Sequence, residues 1–317
     1  MTVRSCLYLL LFLGLPAGSA LAAPTLFDSF TALTASVAAG SLPEEAPLLL
    51  SAANFTQQSI SANDLGAQNG GVRVGDNWDM NTANENGPDA GRYLFSPYES
   101  GAAGVRRLDL QTGTAVTIVP EGTQGFISGD ASRWTPWGSL LTAEESFSTG
   151  STKGRLFEVT NPLAAVGSVN FVQRSIIPRV AHEGLTFDKD NNLYFIDELA
   201  GGSIYKFTST NPAASTGDDF FAAGQTFVLT VGSGSNANAT GTAVWTPITD
   251  INGTALPAVS TALRGDGTLD GRQAADLVGA TGYQRPEDLE IQTLSNGSQI
   301  LYVATTASND AFSIALA

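Results

Sequence analysis

The sequence predicts an all-β fold: a β-propeller of six blades with long loop insertions. Three observations predict it. Short apolar runs of strand length recur from residue 48 onward, each bounded by Gly, Asn, Asp, Ser or Thr clusters. A blade-like plan repeats, since Glu183-Gly184-Leu185-Thr186-Phe187 with Leu193-Tyr194-Phe195-Ile196 is echoed by Glu287-Asp288-Leu289-Glu290-Ile291 with Leu301-Tyr302-Val303-Ala304. No strong helix is available to cover a sheet edge, and a propeller closes on itself instead. At about 40–50 residues per blade the chain supplies roughly five to seven blades, and six is the expectation.

In chain order, residues 1–22 read as a secretory signal peptide. A cationic start at 1–4 precedes an apolar core at 7–15 and the small-residue cleavage pattern Ala20-Leu21-Ala22. The protein is therefore expected outside the cytoplasm, periplasmic or extracellular. No later run reaches the roughly 18 apolar residues of a membrane span. The single cysteine, Cys6, falls inside the signal, so the exported chain has neither disulfides nor thiolate metal ligands. Residues 23–47 are a leader segment and 48–317 the propeller domain.

Strands are expected at 57–61, 92–96, 104–110, 115–119, 138–143, 155–159 and 169–174. A central hairpin follows, 184–188 and 193–197, turned at Asp190-Asn191-Asn192, where Asn and Asp tolerate left-handed dihedrals. Further strands are expected at 203–208, 226–231, 289–292, 300–304 and 312–316. Three stretches show no clear strand: 63–90, 212–224 and 232–282, the last with a short helix at 270–277. Trp134 and Trp137 read as blade packing.

The formal net charge is −15, with 14% of residues charged. Such a surface repels nucleic acid, which needs basic patches. It suits oxygen-liking divalent cations, Ca²⁺ above all, although solubility alone also accounts for it. A monomer acting on a small molecule is expected. A sole histidine, His182, excludes a multi-histidine zinc site, and there is neither a P-loop nor a nucleophile elbow.

Carboxylates carry the remaining chemistry, and several lie where strands begin or end. Glu99 follows the run 93–95, and Glu144 and Glu145 follow 140–143. Glu183 precedes one hairpin strand, Asp197 and Glu198 follow the other, and Glu287 opens a later strand. At a propeller axis these would converge, and converging carboxylates cannot all stay ionised without cations. Any one of them alone reads as a solvated loop residue; the recurrence of the set is what points to a site. Arg285, beside Glu287, is either a structural ion-pair partner or a fork for phosphate oxygens. His182 is either a packing residue or a general base.

Four segments in order carry a resemblance. They are Gly91-Arg92-Tyr93-Leu94-Phe95 leading to Tyr98-Glu99; Trp134-Thr135-Pro136-Trp137-Gly138-Ser139-Leu140-Leu141-Thr142-Ala143-Glu144-Glu145; His182-Glu183-Gly184; and Arg285-Pro286-Glu287. Together they span roughly residues 80–305 and resemble the PhoX-type alkaline phosphatase family of exported, metal-dependent β-propeller phosphatases. The resemblance implies an iron and calcium centre, with Glu183 and Glu287 matching iron-binding glutamates. Glu99, Glu144 and Glu145 would fall at the cluster, and Arg285 would hold the substrate phosphate. It implies phosphoric-ester hydrolysis in which a metal-bound oxygen attacks phosphorus. Ala143 stands where the family carries a cysteine, and the twin-arginine export signal common in the family is absent, so Ca²⁺ rather than Fe³⁺ is expected to dominate. Two other readings stand beside this one: a calcium-dependent propeller lactonase or esterase with His182 as base, and a non-catalytic metal-binding propeller.

Overall fold

Short strands, some buried on alternate residues and some along their whole length, with polar turns between them, build antiparallel sheets. A computed structural model describes residues 77–148, 150–232 and 239–316, with positions 33, 36–38, 40–43, 46, 48–50 and 57. The predicted signal peptide and all but the first residue of the predicted strand 57–61 lie outside them. The chain divides into two compact units, Met1–Ser59 and Ile60–Ala317. In the first, Gln57 Oε1 accepts from the Leu48 amide at 3.0 Å. The second holds every strand described below. No helix among the described residues is long and apolar enough to cross a membrane.

The second unit has a propeller-like arrangement in which the described residues form four blade sheets, not six. Blade one is β1 (Thr82–Ala83), β2 (Tyr93–Pro97), β3 (Val105–Asp109) and β4 (Thr114–Val119). Blade two is β5 (Gly129–Trp134), β6 (Leu140–Glu144), β7 (Leu156–Val159) and β8 (Phe171–Gln173). Blade three begins with the central hairpin, β9 (His182–Phe187) and β10 (Leu193–Asp197). It continues through β12 (Ile204–Ser209), β13 (Gly224–Val231) and β14 (Ala243–Pro247). Blade four is β16 (Pro286–Thr293), β17 (Gln299–Thr305) and β18 (Asp310–Leu316), and β11 (Ala200–Gly202) pairs with β15 (Tyr283–Gln284). The count falls short of six because the long stretches between β12 and β15 do not add blades. They form a short helix α1 (Gly217–Phe220), the outer part of blade three, turns, and a second helix α2 (Gly271–Leu277). The predicted helix at 270–277 is α2, with Asp270 as its N-cap accepting the Gln273 amide.

Aromatic side chains pair across neighbouring strands of one blade. Phe195 stacks on Tyr205 at 5.0 Å, and Phe157 stacks on Phe171 at 4.5 Å with Phe126 tilted against both. The fully buried rings of Phe126, Phe157 and Phe195 each contribute about 1.5–3 kcal/mol relative to exposure. The two tryptophans do pack blades together. Trp134 stacks on Phe95, while Trp137 lies against Phe187, Phe220 and Phe221 and donates to Glu158 at 2.8 Å.

The strands β5, β9 and β16 form the edges of their sheets, and β9 lies against both of the others. This close approach constrains Gly184 on β9. A Cβ there would lie 2.6 Å from the Leu289 amide nitrogen and 2.6 Å from Asp288 Oδ1. Gly184→Ala is expected to cost about 1–3 kcal/mol by overpacking. It should also separate the segments bearing Glu183 and Glu287. Thermal unfolding with and without added cation measures both effects, and an unchanged melting temperature would contradict the tight β9–β16 contact.

Candidate metal centre

Each blade brings one carboxylate on, or just before, its innermost strand and a second group at the end of the next strand. In blade two these are Asp130 on β5 and Glu145 after β6. In blade three they are Glu183 on β9 and Glu198 after β10, and in blade one Asp79 before β1 and Glu99 after β2. Blade four has Glu287 on β16 and Thr306 after β17, whose hydroxyl donates to Glu287 at 2.9 Å.

One backbone hydrogen bond recurs in all four blades. The amide of the second group bonds the carbonyl of the residue two before the first. The bonds are Glu99 to Asn77 (2.8 Å), Glu145 to Ser128 (2.9 Å), Glu198 to Ala181 (3.0 Å) and Thr306 to Arg285 (3.0 Å). Three of those acceptor residues hold a left-handed conformation: Asn77 (φ 46°), Ser128 (φ 42°) and Arg285 (φ 53°). Outside glycine this backbone is strained, and it clusters at functional sites. The inner strands also slip register at the acid. The breaks fall between Gly129 and Ser132 on β5, between His182 and Leu185 on β9, and between Pro286 and Asp288 on β16. Such bulges re-aim a side chain out of the alternating pattern.

The consequence is a concentration of acid. Ligand oxygens of Asp79, Asp130 and Glu183 lie within 4.8 Å of one another, as do those of Glu145, Glu183 and Glu198. Glu183 belongs to both groups. Burial, then the nearby Asp130 and Glu198 charges, push the Glu183 carboxyl far above the usual range. Burial raises Asp130 to about 8 against a hydrogen bond from Glu183, with Asp79, Glu99 and Glu198 adding repulsion. Burial and Glu198 raise Glu145 to about 9. Burial also raises Glu287, and the Glu198 charge adds to the shift. Among the described residues, Arg285 is the one cation ion-paired to a member of this group, through Glu198. Two buried oxygens, Asp130 Oδ1 and Glu198 Oε2, have no hydrogen-bond partner. Buried carboxylate oxygens without partners are costly, and a multivalent cation removes that cost.

Of the residues expected from sequence, Glu145, Glu183 and Glu198 come together, Glu99 and Glu287 adjoin them, and Arg285 sits at the rim with its side chain 46% exposed. Three others do not join. Glu144 is fully buried and engaged by Arg155, whose Nε donates at 2.8 Å, and by the Ile127 and Arg155 amides. Its place on β6 turns it from the cluster that the next residue enters. Asp197 is gripped through both oxygens by Arg272, at 2.7 and 2.6 Å. His182 is fully buried against Phe195, and burial with the Arg264 and Arg179 charges lowers its pKa to about 3. It is enclosed in the core, away from the acidic cluster, and its ring packs on Phe195. Ala143 is buried in the apolar core with Leu141, Leu156 and Leu185.

Sequence reasoning missed Asp130 and Asp79. β5 reads Gly-Asp-Ala-Ser-Arg-Trp, without the apolar alternation of a strand, and Asp79 lies in the Gly- and Asn-rich stretch set aside as loop. One signal was present: Asp130 and Glu145 have the same spacing in sequence as Glu183 and Glu198.

Comparison with known proteins bears on this arrangement. The family model described as alkaline phosphatase PhoX matches residues 100–315. Among solved structures, Pseudomonas fluorescens PhoX in complex with vanadate, a transition state analogue, is similar in fold, with 19% identity and a TM-score of 0.50. The match covers 78% of this chain and 62% of that one. A putative oxidoreductase (glucose dehydrogenase) from Thermus thermophilus matches at 13% identity and a TM-score of 0.30, over 78% of this chain and 85% of that one. No curated protein matches the chain.

Proposed function

This chain belongs to the alkaline phosphatase PhoX family, and from that premise we propose that it is an exported, cation-dependent phosphoric-ester hydrolase. The observation that carries the reading is the interblade acidic cluster with unpartnered buried oxygens and one arginine at its rim. The residues fit an oxygen-preferring cation. The donors are all carboxylates, with neither thiolate nor imidazole among them, which suits Ca²⁺ first and Fe³⁺ second. Asp79, Asp130 and Glu183 would hold one ion, and Glu145, Glu183 and Glu198 another, with Glu99 and Glu287 adding negative charge alongside. Bound multivalent cations would supply Lewis acidity toward phosphoryl oxygens.

The chain's own residues do the rest. Arg285 presents a planar, permanently charged fork to a phosphoryl group, and its bond to Glu198 keeps it at the rim of the cluster. The bulges on β5, β9 and β16 hold the carboxyls in place, so little reorganisation is needed when an ion or a phosphate arrives. The calcium-lactonase reading relied on His182 as base, and the enclosed imidazole withdraws that support.

The test is turnover of p-nitrophenyl phosphate by chelator-treated protein, with Ca²⁺ or Fe³⁺ restored. Activity should require the cation, and Arg285→Ala should lower kcat/KM by about 100-fold, the loss typical of a charge-stabilising donor. Absence of phosphate-ester turnover with either cation, despite cation uptake, would favour a binding module. Turnover of a simple lactone alone would overturn the phosphatase reading.

A further inference from the structure

We propose that Arg272, on helix α2, is a positioning residue that sets the geometry of the Glu145–Glu183–Glu198 group. The proposal rests on reading that group as a cation site, a reading supported independently by the unpartnered Glu198 Oε2, on a residue 2% exposed.

Blade three differs from its neighbours in one respect. Where blades one, two and four place a left-handed residue two before the inner acid, blade three has Ala181, which is not among the left-handed residues. Its backbone is held by a side chain of its own blade that is in turn gripped from outside the blade. Asp197 Oδ1 accepts the Ala181 amide at 3.0 Å, and Arg272 holds Asp197 through Nε to Oδ2 (2.7 Å) and Nη2 to Oδ1 (2.6 Å). The remaining arm, Nη1, donates to the Phe147 carbonyl at 3.0 Å.

One guanidinium thus reaches two of the segments that carry the three carboxyls directly, and the third through Asp197. Phe147 is two residues past Glu145. Asp197 immediately precedes Glu198. Ala181 is two residues before Glu183 and also accepts the Glu198 amide. Helix α2 is itself seated on the approach to β9: the Gly271 amide donates to the Arg179 carbonyl at 2.9 Å, and a Cβ on Gly271 would lie 2.7 Å from Val180 Cγ1. Three donors aimed in one plane are a property of arginine and not of lysine. Arg272 therefore acts on the ligands through Asp197, whose two oxygens are engaged by the guanidinium.

The experiment titrates the chelator-treated full chain with Ca²⁺, and separately with Fe³⁺, by calorimetry. Arg272→Gln and Arg272→Lys should each weaken cation binding about 10–100-fold, the usual loss when a partner that orients ligands is removed. Arg174→Gln breaks a comparably buried pair between Glu158 on β7 and the residue that follows β8. It should lose similar thermal stability yet keep wild-type cation affinity. The double variant Asp197→Asn, Arg272→Gln leaves no unpaired buried charge. It carries the test if the single variant fails to fold, and should bind no worse than the weaker single variant because the two residues act as one unit. Wild-type affinity in folded Arg272→Gln or in the double variant, or an equal affinity loss in Arg174→Gln, overturns the proposal. No cation uptake by the wild-type chain overturns the metal reading beneath it, a different result.

Discussion

Glu183→Gln is expected to abolish cation uptake and to lower any cation-dependent ester hydrolysis by about 100–1,000-fold, the scale of losing preorganised charge stabilisation. Glu183 is the one carboxyl common to both groups, so its loss removes a ligand from each. The fold should survive. Burial and neighbouring charges keep this carboxyl protonated in the cation-free protein, and glutamine is close in shape to the protonated acid. Wild-type protein should gain thermal stability on adding cation, about 2.7 kcal/mol at a hundredfold excess over Kd. The variant should gain none. Differential scanning fluorimetry with and without Ca²⁺ or Fe³⁺ reads this directly, and an unchanged cation response in Glu183→Gln would place the ions elsewhere.

Chelator-treated protein is expected to lose stability steadily as pH rises from about 5 to about 9. The sign follows from the direction of the shifts. Asp130 is raised from 3.8 to about 8 and Glu145 from 4.5 to about 9, burial being the largest cause in both. Between the unfolded and folded values the native state binds more protons than the unfolded chain, so unfolding free energy falls with pH across that window. Below about 4 the contribution is fully present. Added cation should flatten the profile, because an ion replaces the protons that otherwise neutralise the cluster. Asp130→Asn should flatten part of it without any ion. A melting temperature that rose with pH over this range in chelated protein would contradict a cluster held neutral by protons.

Much of the fold was legible in the sequence for a simple reason. Strands such as β3, β7, β10, β12 and β17 bury alternate or continuous apolar side chains, so local pattern and tertiary burial agree. β5 was not legible, because an innermost strand packed between others can be made of small polar residues whose burial depends on neighbours far away in sequence. β14 failed in the opposite way. It is an edge strand with mostly exposed residues, Ala243-Val244-Trp245-Thr246-Pro247, and little pattern to read.

The acids divide along similar lines. Local sequence placed Glu99, Glu145, Glu183, Glu198 and Glu287 at strand ends, since strand boundaries are set by nearby residues. It could not separate Glu144 from Glu145, adjacent residues of one type. A strand alternates its faces, and only tertiary packing decided that Arg155 would face the first while the second entered the cluster. Likewise Asp197 and Glu198 parted company because Arg272, 75 residues away in sequence, came to lie beside one of them. By itself the sequence determined an all-β chain with acids at recurring strand ends, through periodicities that act over a few residues. Which acids share an ion site was decided by bulges and long-range arginine pairs, whose energies exist only after the blades have met.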